Sequence, residues 1–493
     1  RWVESRSENL SAAPHARDQI HRIALAATRE GRLMALRDEA VMNCGAYNFL
    51  GLVVPYNSLS HLLGPYDVPN ASILVKGVLT HTTFTTPYRG AGRPEAIYII
   101  ERLMDEAARQ TGIDPVALRA RNMIRPEQMP YTNAMGKTYD SGQFESVMNQ
   151  ATALADWNGF DARAAEAKKR GRWRGRGMAA FLEWTGADVF DERVTVTVAA
   201  GEQNDGEIEI FSALQGMGQG LLTTFAQVAV DVFGVPIDKI RIVQGDTDRG
   251  QGFGSAGSRS LFVGGSAVRV AADRTVAKAK AMAADEMEAA AGDIEYRDGV
   301  FSIAGTDRRI GLFEVARRQP EQRIVLDSTS SVAGPTWPNA CHVCEVEVDP
   351  ETGAVELAGY WSVNDVGRVV NPMIVIGQLE GGAAQGIGQA LCERFVYDRE
   401  SGQALSASFL DYALPHAEMI EHFEMTMDES TPCLNNAMGV KGVGELGTIG
   451  ATPAVVNAVM DALARGGRTD IPERANALQM PLTSERVWRA IHG

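Results

Sequence analysis

The sequence predicts an α+β fold of two lobes, in which mixed and antiparallel sheets carry helices and glycine-rich loops gather at one site. A chain of 493 residues is too long for one ordinary hydrophobic core, so at least two lobes are expected. Segments such as "VTVTVAAG" and "EIEIFSAL" alternate apolar and polar residues, as half-buried strands do. After residue 175, glycine-rich stretches repeatedly stand between strands and helices.

The first 150 residues predict strands followed by two helices. Residues 20–50 have apolar residues recurring around a turn at Glu30 and Gly31. "RPEAIYIIERLMDEAARQTG" predicts a helix that begins near Pro94 and stops at Gly112, and a short second helix is expected over 115–122. Residues 125–175 are polar and broken, which indicates a connection between the lobes. The predicted lobes are therefore 1–150 and 151–493.

The charge balance argues against nucleic-acid binding. The net charge is −15, whereas sequence-independent nucleic-acid binding draws on basic patches, so the basic stretch "KKRGRWRGRG" is interpreted as a solvated part of the connection. No window reaches the roughly 18 uninterrupted apolar residues of a membrane-spanning helix, and no secretory signal opens the sequence. Five cysteines do not make a disulfide framework. These features predict a cytoplasmic protein.

The first residues read as the middle of a domain. "RWVESRSENL" has no initiator Met, and the strand pair after it lacks a preceding partner. The sequence therefore predicts a processed, truncated or separately encoded part of a larger protein.

Four glycine-rich stretches lie in the last 280 or so residues, and they predict one large ligand. Two of them, at 216–220 and 254–260, lead into predicted helices; the others are "PMIVIGQLEGGAAQGIGQAL" and "GVKGVGELG". Glycine lets the backbone approach a ligand closely, and N–H groups at a helix N-terminus attract phosphate. Together the four stretches indicate an anionic ligand wrapped by backbone.

The last of these stretches places a single carboxylate, Glu445, among glycines. It could be a solvated turn, a nucleotide-binding loop or a catalytic base. The spacing Gly442-x-Gly444-x-x-Gly447 matches a dinucleotide fingerprint, but the preceding "TPCLNNAMGV" is no apolar strand. Glu445 would also stand where a pyrophosphate must approach, so the fingerprint is rejected.

Other catalytic or metal-binding motifs find no support in the sequence. Cys341 and Cys344 have CxxC spacing but no second pair, and positions i and i+3 of a strand point to opposite faces. They are interpreted as structural cysteines. No HExxH metal motif and no Gly-x-Ser-x-Gly elbow of a serine hydrolase is found in the sequence.

Five ordered stretches resemble a known family. "PYRGAGRPEAIYIIERLMDEAAR", "QGMGQGLLTTFAQVAVDVFGVP", "GSAGSRS", "NPMIVIGQLEGGAAQGIGQAL" and "GVKGVGELG" are similar to the large subunit of the xanthine oxidase, aldehyde oxidase and carbon monoxide dehydrogenase family. The resemblance covers the whole chain and about the last two-thirds of a large subunit. It implies elongated molybdopterin-binding lobes and a molybdenum cofactor, in bacteria usually the cytosine dinucleotide form, that holds the metal through its own sulfurs.

The resemblance also implies roles for individual residues. Glu445 is expected to be the general base that takes the proton of the attacking oxygen, with a raised pKa near an anionic, partly desolvated cofactor. Arg89 is expected to orient the substrate and stabilise developing charge. The expected cofactor-binding residues are Met217, Gly218, Gln219, Gly257, Ser258, Arg259, Ser260, Gln378 and Arg121.

Two departures from the family pattern matter for function. Copper-containing carbon monoxide dehydrogenases have Cys directly after the arginine, and Gly90 stands there in this sequence. The upstream segment that carries the glutamine near the apical oxo group is also missing. We therefore expect oxidation of an aldehyde, N-heteroaromatic or other aromatic carbon, with a further chain completing the large subunit. Partner subunits with iron–sulfur clusters and FAD are expected, in a dimer of heteromers. The alternative is an incomplete chain or assembly partner that is inactive alone.

Overall fold

The computed structural model describes residues 2–47, 50–201, 205–466 and 478–493. The strands are β1 (Gln19–Ala27), β2 (Leu33–Gly45), β3 (Ala71–Leu79), β4 (Tyr131–Thr132), β5 (Thr138–Tyr139), β6 (Trp173–Leu182), β7 (Asp191–Ala200), β8 (Gly206–Ser212), β9 (Ile240–Gln244), β10 (Ile294–Arg297), β11 (Val300–Ile303), β12 (Arg309–Gly311), β13 (Arg323–Ser331), β14 (Asn339–Val348), β15 (Val355–Asp365) and β16 (Phe423–Asp428). The α-helices are α1 (Arg6–Ala12), α2 (Val53–Ser60), α3 (Arg93–Thr111), α4 (Pro115–Asn122), α5 (Phe144–Leu154), α6 (Phe160–Lys169), α7 (Leu221–Phe233), α8 (Ser266–Glu286), α9 (Leu312–Arg317), α10 (Pro372–Leu391), α11 (Leu446–Arg465) and α12 (Ser484–His492). This mixture of helix and sheet confirms the predicted α+β class.

The N-terminal sheet confirms the strands predicted over residues 20–50. β2 lies in the middle, antiparallel to β1 and parallel to β3. Because side chains alternate along each strand, one face packs into the core that contains α3 and α4, and the other faces outward. On the outward face Ile20, Val41 and Leu74 are 68%, 43% and 53% exposed. The outward face therefore exposes apolar side chains among charged ones, such as Arg37, Glu39 and Lys76.

The two helices predicted after this sheet are confirmed, and both have the expected ends. Pro94 lies in the first turn of α3, and Gly112 ends that helix in the left-handed conformation. α4 begins after Asp114, whose carboxylate accepts the N–H groups of Val116 and Ala117. The helices thereby fix the segment that carries Arg89 against the core.

The prediction of a broken connection over residues 125–175 is wrong, because α5 and α6 lie there. In α5 the buried residues Phe144, Val147, Met148 and Ala151 recur at helical spacing, so this polar-looking segment has an apolar stripe that packs into the core. The basic residues that follow pair with acidic residues of β14 and of the turn after it: Arg170 with Glu347, Arg172 with Asp349, and Arg174 with Glu345. The sheet thus neutralises much of the basic stretch.

A second sheet, ordered β16-β15-β14-β6, forms the centre of the molecule. The predicted hairpin is confirmed, with β14 and β15 joined through residues 349–354. All ten residues of β14 are buried, since α10 and α11 cover one face of the sheet and α5 the other. Cys341 and Cys344 are among them and are free thiols, in line with a structural role.

A third sheet, ordered β13-β7-β8-β9, packs against α7 and α8 and makes a separate core. The strands predicted from "VTVTVAAG" and "EIEIFSAL" are β7 and β8, and the glycine loops before α7 and α8 are confirmed as loops that lead into helices. A π-helical segment, Ser260–Gly265, runs directly into α8. Strands β10, β11 and β12 form a small meander beside this core.

The third glycine-rich stretch is helix α10 rather than the predicted ligand loop. Its glycines serve close packing between helices: a Cβ on Gly382 would lie 3.0 Å from the Cα of Gly447, and one on Gly386 would lie 2.7 Å from the Cβ of Ala451. Both neighbours belong to α11. α11 is itself long and apolar enough to cross a membrane, but 89% of its apolar window is buried inside the fold, as expected of a core helix.

Candidate active site

The loop that ends at Glu445 is pressed against its neighbours by backbone contacts. A Cβ on Gly442 would lie 2.3 Å from the carbonyl oxygen of Ser258, so only glycine permits this approach. The Gly442 N–H donates to the Thr336 hydroxyl at 3.0 Å, and the buried Lys441 ammonium pairs with Asp365 at 2.8 Å. These contacts fix the residue that precedes α11, which is Glu445.

The Glu445 carboxylate is almost fully enclosed and well satisfied. Its Oε1 accepts the Gly90 N–H at 2.8 Å, and its Oε2 accepts the Arg93 guanidinium at 2.5 Å. Ser258 Oγ lies 3.0 Å from the same Oε2, and the Glu445 side chain is 12% exposed. Burial raises the pKa of Glu445, but Arg93, the Gly90 N–H, Ser258 and Glu183 outweigh it, so the pKa lies below its usual value. The prediction of a raised pKa beside the anionic cofactor did not include Arg93, which lowers the pKa of Glu445 in this chain; for the site with the cofactor bound, the raised pKa stays a prediction.

A second acidic residue, Glu183, contacts the same Ser258 hydroxyl as Glu445, and the sequence analysis did not identify it. It follows the last residue of β6 and is fully buried, with its Oε1 2.9 Å from Ser258 Oγ and 3.5 Å from an Arg93 nitrogen. Burial raises the pKa of Glu183 well above its usual range, and the neighbouring Glu445 charge adds to this rise. The available signal was an acidic residue directly after the apolar run "MAAFL".

Arg93 was missed as well, although it stands four residues after Arg89 in "RGAGRP". Its side chain is 3% exposed, and besides Glu445 it donates to the Trp184 carbonyl oxygen at 3.0 Å. A buried arginine requires a nearby acid, so this residue and the two glutamates form one charged cluster.

Arg89 joins three distant parts of the chain. Its Nε donates to the Gly444 carbonyl oxygen at 2.6 Å, and its Nη1 donates to the Gln385 side chain at 3.0 Å. Its Nη2 donates to the backbone and side-chain oxygens of Gln378, at 3.1 Å and 3.0 Å. All four acceptors are neutral, and in the described ranges no carboxylate forms a salt bridge with Arg89. The half-buried guanidinium therefore brings a positive charge beside Glu445 and leaves one Nη1 proton for another acceptor.

The loop before α7 contains Met217, Gly218 and Gln219 and lies largely in solvent. Met217 is 70% exposed, and its N–H donates to the Gln219 side-chain oxygen at 2.5 Å. Gly218 has a φ of 96°, and a Cβ there would meet nothing within 4 Å. The loop ends at α7, a 13-residue helix whose first N–H groups attract anions.

The loop before α8 lies beside the α7 loop and reaches Glu445. The Ser255 hydroxyl donates to the Gln215 carbonyl oxygen at 2.7 Å, which ties the two loops together. The Gly257 carbonyl oxygen accepts the Gly186 N–H at 2.7 Å, and Ser260 begins the π-helical segment. The Arg259 side chain is fully buried and pairs with Glu192 at 3.0 Å. It therefore braces β7 from inside the protein.

The structure brings most of the predicted site residues together. Ser258, Gln378, Arg89 and Glu445 are linked by direct contacts or through the Gly444 carbonyl oxygen, and the α7 loop meets α10 where Gly220 abuts Ile374. Arg121 is apart from them: it is exposed at the end of α4, with its guanidinium beside the β1–β2 turn.

The site fits an anionic ligand that brings its own metal ligands. Two exposed loops present backbone N–H groups at helix starts, and neutral amides and hydroxyls dominate their side chains. Among the described residues, no group of three or more His, Cys, Asp or Glu side chains could hold a metal ion. Glu445 lies at the edge of these two loops, which we call the cradle.

Comparison with known proteins points in the same direction. The family profile described as "Molybdopterin cofactor-binding domain" matches residues 1–123 and, in a second form, residues 150–421. The nicotine 6-hydroxylase large subunit of Paenarthrobacter nicotinovorans is 35% identical over 525 residues, covering 100% of this chain and 62% of that protein. The carbon monoxide dehydrogenase large chain of Hydrogenophaga pseudoflava is 33% identical over 517 residues, covering 100% and 63%.

A solved structure gives the same result for the fold. Quinoline 2-oxidoreductase from Pseudomonas putida 86 superposes with a TM-score of 0.90 at 32% identity, covering 99% of this chain and 64% of that one. The chain thus spans less than two-thirds of the length of these relatives. The lobe boundary near residue 150 stays a prediction.

Proposed function

Because this chain belongs to the large-subunit family of the molybdenum hydroxylases, we propose that it provides the catalytic, molybdopterin-binding part of such an enzyme. The observation that carries the proposal is the environment of Glu445. A carboxylate kept ionised by Arg93 and a backbone N–H, at the edge of an anion-binding cradle, is suited to general-base catalysis.

The proton accepted in the reaction is assigned to one oxygen of Glu445. Oε2 already accepts from Arg93 and contacts Ser258, whereas Oε1 accepts only the Gly90 N–H within the described part of the chain. A carboxylate oxygen has two lone pairs, so Oε1 has one free for the proton of the attacking, water-derived oxygen. Arg93 remains beside the resulting acid and favours release of that proton afterwards.

The cofactor would be held by the two exposed loops and by α10. Molybdopterin, when bound, supplies the two-electron redox chemistry of the hydroxylation. The proposed contacts from this chain are Met217, Gly218 and Gln219 in one loop, Gly257, Ser258 and Ser260 in the next, and Gln378 from α10. Arg259 is buried and is proposed to hold the second loop in place through its pair with Glu192. Arg121 is proposed to contact the cofactor only if the complete large subunit places the cofactor close to the end of α4. The cytosine dinucleotide form is part of this proposal.

The proposed substrate is an N-heteroaromatic compound, with aldehydes as the second class. Two of the three relatives named above are, by their names, a nicotine hydroxylase and a quinoline oxidoreductase. Arg89 can stabilise negative charge that develops on such a ring, because its own charge is not spent on an ion pair in the described residues.

Oxidation of carbon monoxide by the copper route is disfavoured at Gly90. Its φ is 101°, and a Cβ there would lie 2.4 Å from Pro94 Cγ, so a copper-binding cysteine does not fit without rearrangement. The Gly90 N–H is also needed by Glu445.

The partners proposed are a segment that completes the large subunit and subunits that carry iron–sulfur clusters and FAD, in a cytoplasmic dimer of heteromers. The apolar residues Ile20, Val41 and Leu74, exposed on the outward face of the β1–β3 sheet, support the first of these, since another polypeptide would cover them. The same exposed residues favour the alternative that this chain is inactive without the polypeptide that would cover them.

The test is Glu445→Gln in the assembled enzyme. Loss of the proton acceptor should lower kcat by about 10²–10⁴-fold, while molybdenum content stays at the wild-type level. Turnover like that of wild type would refute the proposed role. Molybdenum content and turnover of the isolated chain, measured beside the complex, decide whether the chain is active alone.

A further inference from the structure

The hydroxyl group of Ser258 stands between two carboxyl groups. Its Oγ lies 2.9 Å from Glu183 Oε1 and 3.0 Å from Glu445 Oε2. A serine hydroxyl has one proton, so it can donate to only one of them. The other contact is a hydrogen bond only if that carboxyl group carries a proton and donates to Ser258.

The surroundings decide which of the two carboxyl groups carries the proton. Glu445 has a charge-assisted contact of 2.5 Å with Arg93 and a backbone N–H, and it is partly open to solvent. Glu183 is fully buried, and Arg93 is 3.5 Å away. In the described ranges its Oε2 has no hydrogen-bond partner. A buried carboxylate anion with an unpartnered oxygen is far costlier than a neutral acid in the same place.

We infer that Glu183 and Glu445 share one proton across Ser258, and that this proton rests on Glu183. Glu183 is then a positioning residue: its O–H donates to Ser258, which donates to Glu445 and holds that carboxylate as an anion. The raised pKa of Glu183 and the lowered pKa of Glu445 agree with this order. The hydrogen bonds therefore run in one direction, from Glu183 to Ser258 and from Ser258 to Glu445.

The charges around the pair are consistent with a single negative charge. Arg93 from the start of α3 faces both carboxyl groups, and Arg89 lies on the other side of Glu445. The buried His61, just after α2, has its pKa lowered to about 3 by burial and by Arg93 and Lys137, so it adds no charge at neutral pH. One anion facing Arg93 is the arrangement of lowest cost.

The first test is infrared spectroscopy of the assembled enzyme with isotope-labelled glutamate. At neutral pH the wild type should show the carbonyl band of a protonated carboxylic acid, and Glu183→Gln should lack that band. Glu345→Gln is the matched control, because Glu345 is also buried but is held by Arg163 and Arg174. It should remove no such band. A Glu183→Gln spectrum that keeps the band overturns the assignment.

If Glu183→Gln does not assemble, Ser258→Ala answers the same question. Removing the acceptor should shift the frequency of the Glu183 band, and an unchanged spectrum overturns the inference. Neither spectrum depends on turnover, so this result stands whether or not the proposed hydroxylase activity is found.

The second test rests on the proposed role of Glu445 and uses the acid limb of the kcat/KM profile. Glu183→Gln keeps a neutral donor, so the limb should stay at its wild-type pH. Glu183→Leu removes the donor to Ser258, whereas Ser258 can still donate to Glu445, so the limb should move up by no more than about one pH unit, from the strength of a hydrogen bond between neutral groups. A limb that moves down in Glu183→Gln would show that Glu183 had been charged and would overturn the inference. Failure of the proposed function would appear instead as unchanged turnover in Glu445→Gln.

Discussion

Replacing Arg93 with methionine should change the pH at which the enzyme works. Arg93 is 3% exposed and gives Glu445 its contact of 2.5 Å, so the substitution leaves the buried carboxylate without this partner. A hydrogen bond to a charged group is worth about 1.5–3 kcal/mol, which corresponds to about one to two pH units. Because the proposed role of Glu445 requires its ionised form, the higher pKa of Glu445 in this variant should move the acid limb of kcat/KM to higher pH by that amount.

The control for this substitution is Arg163→Met. Arg163 pairs at 2.6 Å with Glu345, whose side chain is 1% exposed, and it lies on α6 away from the site. Arg93→Met should lower the free energy of unfolding by about 3–5 kcal/mol, measured by denaturant titration, whereas Arg163→Met should lower it by less, because Arg174 still pairs with Glu345. Only Arg93→Met should move the acid limb. If the Arg93 variant is folded and contains molybdenum, yet its limb stays in place, then Arg93 does not set the pKa of Glu445.

Three further substitutions test the cradle, the copper route and the open sheet face. Gly218→Leu places a bulky side chain at a φ of 96° and should lower molybdenum per chain without unfolding the lobe; normal metal and nucleotide content would contradict the loop assignment. Gly90→Cys should lose hydroxylase turnover and gain no oxidation of carbon monoxide, because the new side chain clashes with Pro94 and displaces the N–H that Glu445 accepts. Leu74→Arg should reduce recovery of the completing polypeptide with this chain, measured by native mass; recovery equal to that of Lys76→Arg, a charge-conserving change on the same strand, would contradict a docking face.

Local patterns in the sequence predicted the elements and the position of the base. Strands with period two, the ends of α3 and α4, and the loops before α7 and α8 all follow from residues that are close in sequence. The resemblance then pointed to Glu445 and Arg89, and the structure places them beside the same loop. Local patterns could not predict a property that depends on contacts between residues distant in sequence.

Two differences from the predictions have this origin. The pKa of Glu445 depends on Arg93, which is 352 residues away in sequence, whereas the prediction considered only desolvation and the anionic cofactor. The glycines of α10 looked like a ligand loop, because close packing against α11 cannot be seen in a local pattern. The error over residues 125–175 came from weighing polar composition above the apolar stripe of α5.

The contacts of Arg89 determine when in folding the site can exist. They join residues that are 289, 296 and 355 positions apart in sequence, so each closes a very long loop. Closing a long loop costs conformational entropy before the contact that stabilises it has formed, so contacts of this kind form slowly. A nascent or clipped chain that ends before residue 445 has no base, even if both segments that match the cofactor-binding family are folded. The contacts that Arg89 and Glu445 make with each other's segments can thus form only after the chain has been synthesised as far as residue 445, and a chain cut before that residue lacks them.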